Sequence, residues 1–368
     1  SYNLQDQERC VRLAVGLTRR QLESIAAECR FTKDKELTAA HLDARRKELL
    51  GRDFNDLLEF YEPEWTLDDV GGAAEAKAEL MDLAAMLKSG DRDIPAGYIV
   101  GGQNGVGKTY LLKGFAGTAG ITVIILKPFK ASGYGESERN WDRIATALKS
   151  AGQVIVIVQE ADGMLGQRTG QNVHETSKAV LMQQLALMGD PAYRGKILWM
   201  LDTCRPDKLA PDVKRPGRCE RIIPLFPETT EAGVQAILEA QVRLLTRKDG
   251  YTFEEAFFTR LDTRVTMNLV RKTGAQIERV LRRARKQMRQ EGAPAITVKH
   301  VRHVLATDTI RAEPEAYELQ RLIAMNEAIE HENADLIPPL YLTQMQDGGG
   351  IGPLKERIEV LRRRCDAV

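Results

Sequence analysis

A parallel α/β sheet with crossover helices, preceded by a small helical unit and followed by a helical lid, is the fold class that this sequence predicts. Two observations carry it. Between about residues 63 and 226, four short apolar runs, GYIVGG, ITVIIL, QVIVIVQ and KILWMLD, alternate with helical segments, the rhythm of strands joined by crossover helices. On either side the pattern is helical, with VRLAVGLTRRQLESIAAECR and LTAAHLDARRKELL before the core and EAGVQAILEAQVRLL, GAQIERVLRRARKQMRQ and TVKHVRHVLAT after it.

Taken in order, residues 1–62 read as a helical unit without a strand-like run, and EPEWTLDDVGG, rich in turn formers, as the hinge into a core over 63–226. Residues 227–312 read as the lid, with its helices separated by KDG and EGAP. In 313–368 one more helix near EAYELQRLIAMNEAIEHE, a Pro- and Gly-containing break and a final amphipathic stretch are expected. The chain of 368 residues is 43% hydrophobic and 29% charged, enough for two or three packed units. Its 53 basic and 52 acidic residues give a net charge of +1, so no overall field draws it to nucleic acid or an anionic membrane. Five scattered cysteines without a CxxC pair argue for a reducing compartment rather than a disulfide framework or zinc site. With no spanning apolar stretch and no signal-peptide pattern in SYNLQDQERC, the expectation is a cytoplasmic protein without a membrane partner; the start without Met suggests a longer parent.

The strongest motif is GGQNGVGKTY, between the strand GYIV and the helical LLKGFAG. Gly102-x4-Gly107-Lys108-Thr109 fits a phosphate-binding loop: glycines let backbone N–H groups turn toward phosphate oxygens and the helix start adds its dipole. Gly102, Asn104, Gly105, Val106, Gly107, Lys108, Thr109 and Tyr110 are the binding residues expected for ATP, with Lys108 at the terminal phosphates and Thr109 on Mg2+. A second stretch, VIVIVQEADGM, reads as a buried strand ending at Gln159 and followed by Glu160 and Asp162. A nucleotide-hydrolysing strand of this kind ends in an acid pair, one acid for the magnesium shell and one to polarise water. Gln159 stands at the metal-shell place and Glu160 at the water-polarising one.

These segments together resemble the AAA family of ring-forming ATPases over roughly residues 63–310. TLDDVGGAAEAKAEL is similar to the family's adenine-packing segment, which implies nucleotide contacts for Asp69, Val70 and Gly71. TGAQIERVLRRA resembles the lid helix that meets the nucleotide, which implies Gly274 and Ala275. In RPDKLAPDVKRPGR, Arg215 and Arg218 match the arginines that one subunit inserts into its neighbour's site. KASGYGESERN places Tyr134 one residue past the family's pore aromatic. The resemblance implies a homo-oligomeric ring, a hexamer, that couples ATP turnover to remodelling or threading of a protein client. A scaffold in which ATP locks subunits together is the alternative, and a nucleic-acid motor using the basic RVLRRARKQMRQ face is the weaker one, since such a face is more often merely solvated.

Two departures from the family bear on chemistry. Gln159 brings no charge to the magnesium shell, and Cys204 stands where the family's sensor strand carries Asn. Loss of one preorganised polar contact at a charge-developing site commonly costs on the order of 10²- to 10³-fold in rate, so slow hydrolysis is expected. Two other stretches carry less. His300 and His303 in KHVRHV are expected as a surface pair, not a metal site. DGGGIGPLKERIEVL lines up with DVGGAAEAKAELMDL, Lys355 with Lys77 and Ile358 with Leu80, which reads either as the start of a second module or as a Gly-rich turn before a terminal helix.

Overall fold

The strands form where the β-branched runs lie, and they share one sheet. The computed structural model describes residue 10 and residues 19–31, 57–91, 93–127, 136–166, 175–307 and 314–366. Among the described residues the six strands are β1 (Leu58–Tyr61), β2 (Gly97–Gly102), β3 (Thr122–Leu126), β4 (Val154–Val158), β5 (Ile197–Thr203) and β6 (Arg221–Leu225), in the spatial order β1-β3-β4-β5-β2-β6. β2 to β6 are parallel, as expected, whereas β1 is antiparallel to β3. β1 corrects the reading of residues 1–62 as free of strands. LEFY is only four residues long and has no periodicity to announce itself; it becomes a strand by pairing along the open edge of β3.

Both faces of the sheet are covered, which explains why the runs are apolar throughout instead of alternating. On one face Val156, Val158, Trp199 and Ile222 pack with α4 (Glu136–Ser150), α11 (Glu315–Glu330) and α13 (Ile351–Asp366). On the other, Val100, Ile155, Ile157, Met200 and Ile223 pack with α2 (Ala74–Ser89) and α3 (Lys108–Ala119). α1 (Arg19–Phe31) precedes β1, and α5 (Ala161–Leu165) and α6 (Glu175–Met188) lie between β4 and β5.

The lid is a third, separate apolar cluster built from α7 (Glu231–Asp249), α8 (Thr263–Leu269), α9 (Gly274–Gln290) and α10 (Val298–Thr307). Its helices start at side-chain caps: Thr230 accepts from Gly233, Asp262 from Val265 and Thr273 from Gln276. In α9, Ile277, Val280, Leu281 and Ala284 form the buried stripe. Its basic face is partly engaged by the protein itself, since Arg282 pairs with Glu278 and Asp249 and the Arg285 guanidinium lies 4.0 Å from the Tyr251 ring centroid. The expected surface histidine pair is corrected in one half. His303 is exposed, but His300 is buried, with Nδ1 accepting from the Thr297 N–H at 2.9 Å and Nε2 3.0 Å from Glu291.

After α11 come α12 (Pro339–Asp347) and α13. The apolar face of α13, Leu354, Ile358 and Leu361, belongs to the core on the β4–β5 face. The two aligned lysines make different contacts: Lys77 donates to the Val70 carbonyl at 2.8 Å, whereas Lys355 pairs with Glu330 at 2.8 Å. Among the described residues no helix is long and apolar enough to cross a membrane.

Candidate nucleotide site

β2 ends at Gly102, the chain loops through Gln103–Gly107, and α3 begins at Lys108. The loop needs glycine for two separate reasons at Gly105. Its φ is +80°, a conformation L side chains adopt only with strain, and a Cβ there would sit 2.9 Å from the Ala275 Cβ. The Ala275 N–H donates to the Gly105 carbonyl at 3.1 Å, so the start of lid helix α9 is tied directly to the phosphate loop. Lys108 is buried; its ammonium donates to the carbonyls of Gly102 at 2.9 Å and Gln103 at 3.2 Å and to Cys204 Sγ at 3.1 Å. The hinge segment closes another side. A Cβ on Gly71 would lie 2.2 Å from the Ala236 carbonyl oxygen, so this backbone runs against α7 as only glycine permits.

Between loop, hinge and lid lies a cavity of about 400 Å³. Val70, Gly71, Asn104, Gly105, Val106, Gly107, Lys108, Thr109, Tyr110, Glu160, Gly274 and Ala275, all expected from the sequence, line it. Tyr110 is also stacked on Trp65, centroids 4.6 Å apart, which fixes the ring. Gly102 contributes through its carbonyl beneath the lysine. Asp69 does not line the cavity; its carboxylate accepts from the Thr66 N–H at 3.0 Å and caps the turn Leu67–Asp69. Tyr134 lies outside the described residues.

Sequence reading missed Asp202, Thr203, Gln241 and Glu278, which also line the cavity. Asp202 had a readable signal, an acid at the end of the apolar run ILWML, the same signal that marks β4. It is 5% exposed and accepts a short hydrogen bond from the Thr109 hydroxyl. Burial raises its carboxyl above the ordinary range, against the opposing effects of Thr109 and Lys108. Gln241, on α7, donates to the Gly274 carbonyl at 2.6 Å, while its amide oxygen is buried without a hydrogen-bond partner. An orphaned acceptor at this end of the cavity suits a ligand that brings an amino group.

At the carboxyl end of β4, Gln159 is half-buried and is not among the lining residues, whereas Glu160 is exposed and lines the cavity with φ +48°. A non-glycine residue held in the left-handed region at a strand end is a form of stored strain found at functional sites. Asp162 accepts from the Thr203 hydroxyl at 2.6 Å, linking the ends of β4 and β5. Cys204 donates to Asn104 Oδ1 at 2.7 Å, and burial pushes its thiol up despite the adjacent Lys108. A protonated thiol thus joins β5 to the phosphate loop. Arg215 and Arg218 do not line the cavity of their own chain. Arg215 is exposed and pairs with Asp212 at 2.7 Å; Arg218 is less exposed and donates to the Asp212 carbonyl at 2.7 Å.

Residues 98–226 match the profile of the ATPase family associated with various cellular activities (AAA). Among known proteins, the chain is 29% identical over 213 residues to ATP-dependent zinc metalloprotease FtsH 3 of Sphaerobacter thermophilus, covering 55% of this chain and 44% of that protein. It is 31% identical over 252 residues to ATP-dependent zinc metalloprotease FtsH of Thermus thermophilus, covering 64% of this chain and 38% of that protein. To Protein SAV of Sulfolobus acidocaldarius it is 29% identical over 193 residues, 49% of this chain and 24% of that protein. The chain therefore spans less than half the length of each. No group of three or more metal-ligating His, Cys, Asp or Glu side chains occurs among the described residues. The profile match, a phosphate loop between β2 and α3, and a lid tied to that loop make this chain the bearer of an AAA-family ATPase module.

Proposed function

We propose that the chain binds ATP with Mg2+ in the cavity between phosphate loop and lid, and works as one subunit of a cytoplasmic ring, a hexamer, that remodels or threads a protein client in a chaperone-like way. The observation that carries this reading is the direct tie between Gly105 and Ala275. A ligand held by the loop necessarily bears on the start of α9, so a change at the phosphates moves a lid helix. Gly105, Gly107, Lys108 and the amino end of α3 suit the phosphates, and the unpaired Gln241 oxygen suits the adenine amino group. The magnesium ion implied by the family fits the oxygen donors present, the Thr109 hydroxyl and the Asp202 carboxylate, which touch one another. When bound, that ion would supply charge neutralisation at the phosphates, and Glu160 would orient and deprotonate an attacking water. Hydrolysis is slow in this reading, because Gln159 adds no second charge beside Asp202 and Cys204 already spends its proton on Asn104.

A second reading is favoured by these same two residues. If turnover is dispensable, bound ATP serves to lock subunits together through Arg215 and Arg218, and the module is a scaffold. Calorimetric titration with ATP tests the shared premise. The parent chain binds, and Lys108→Ala weakens binding by about 100-fold, since charge-assisted contacts to phosphate are lost. Equal affinity in the two proteins would refute the assignment of the loop.

A further inference from the structure

The parallel register brings an acid to the place where β4 lacks one. Val158 of β4 is the partner of Leu201 of β5, so Gln159, just past the end of β4, stands level with Asp202, which is still within β5 and paired on its other side with Val100 of β2. Side-chain alternation puts both on one face: Ile157 and Met200, two residues earlier in each strand, pack in the same cluster as Leu111 and Leu112 of α3. That is the face from which Thr109, in the first turn of α3, reaches Asp202.

We propose that Asp202 is the carboxylate of the magnesium site, the acid having moved from the end of β4 to the equivalent level of the neighbouring strand, with Gln159 left beside it as a neutral companion. Four observations support it. Asp202 lines the cavity and Gln159 does not. The Asp202 carboxylate meets the hydroxyl of Thr109, the loop's own metal ligand in the reading above. It is 5% exposed, a costly place for a carboxylate unless a cation or several donors compensate it. The next residue, Thr203, donates to Asp162 at 2.6 Å and, through its hydroxyl, accepts from the Arg205 N–H at 2.9 Å, so the strand end that carries Asp202 is braced on both sides. Magnesium keeps several waters and takes one or two carboxylates beside phosphate oxygens, so a single buried acid next to a threonine is sufficient and a three-residue cage is not required.

This proposal rests on the ATP reading, and the experiment separates the two. ATP affinity of the full chain is measured with excess EDTA and with Mg2+, and Mn2+ retention with ATP is followed by electron paramagnetic resonance. The parent binds ATP in EDTA and more tightly with Mg2+. Asp202→Asn, nearly isosteric and able to keep the Thr109 hydrogen bond, loses about 10- to 100-fold of the metal enhancement, read as the ratio of the variant's own affinities with Mg2+ and with EDTA. Adding Gln159→Asp to Asp202→Asn restores the enhancement, because it returns a carboxylate to the same face. If Asp202→Asn lowers the melting temperature sharply, Asp202→Glu replaces it, and enhancement must then survive in reduced measure. An Asp202→Asn protein with full metal enhancement and parental Mn2+ signal overturns the proposal while leaving ATP binding intact. A parent that binds no ATP under either condition overturns the nucleotide reading itself.

Discussion

The loop after β2 and the carboxyl ends of β4 and β5 face each other across one cavity, yet they depart from the family pattern to very different degrees. In the loop, Gly102, Gly107, Lys108 and Thr109 all stand at their expected places, and α3 starts where the motif requires. At the strand ends, Gln159 stands where the resemblance implies an acid and Cys204 where it implies an asparagine, while Asp202 brings an acid of its own one strand away. The difference follows from what each region uses. A phosphate loop works through backbone N–H groups and positive φ values, which only one local sequence pattern supplies. Strand ends work through side chains projected from parallel neighbours, so a carboxylate can change strand and still reach the same point in space.

Three experiments break or sharpen this contrast. The largest effect concerns groups that neither region supplies. Arg215 and Arg218 both engage Asp212 rather than their own chain's cavity, and the proposed ring uses them at a neighbouring copy's site. Changing both to Ala abolishes ATP-dependent oligomers in mass photometry while nucleotide affinity stays within about threefold of the parent's, the spread that context alone gives such contacts. Oligomers of unchanged mass would mean that the strand ends must manage without a neighbour.

A smaller effect is expected at Cys204. Asparagine there offers a stronger donor toward a γ-phosphate or water than a thiol engaged with Asn104. Cys204→Asn raises steady-state phosphate release about tenfold under ring-forming conditions, less than the roughly 10²- to 10³-fold of a fully preorganised donor. No gain in a folded, assembling variant would show that the sulfur is not what limits the site.

The smallest effect tests how firmly the end of β5 is held. Asp207 accepts from Arg205 and from Arg362 of α13, each at 2.9 Å. Burial alone would raise its carboxyl, but the two guanidinium groups more than offset this and hold it below the ordinary range. A carboxylate depressed in the folded state contributes stability that is complete above its unfolded value and disappears as pH falls through the folded one. The contribution is therefore intact at neutral pH and lost below about pH 4. Arg362→Ala should cost about 1 kcal/mol at pH 7 in chemical denaturation and make the acid loss shallower. A parent and variant with parallel pH profiles would show that α13 does not brace this strand.

Much of the architecture was legible because it is local. The β-branched runs, the capped lid helices and the GGQNGVGKT loop each announce themselves within a dozen residues. The strand Leu58–Tyr61 did not, since four residues carry no period and pairing came from β3. His300 looked like a surface residue because helix spacing does not reveal that Glu291 and Thr297 close over it. Asp69 fell within a nucleotide-contacting segment by resemblance, yet its carboxylate turned back to cap its own turn.

What the sequence by itself determined is the phosphate loop, the parallel sheet with its lid and a neutral Gln159 at the end of β4, all of which depend on residues adjacent in the chain. Only the tertiary structure decided where the remaining carboxylate sits. Gln159 and Asp202 are separated in sequence by the whole of α5 and α6, and it is the register of β4 against β5 that sets them at one level, with side-chain alternation turning both to the face where Thr109 waits.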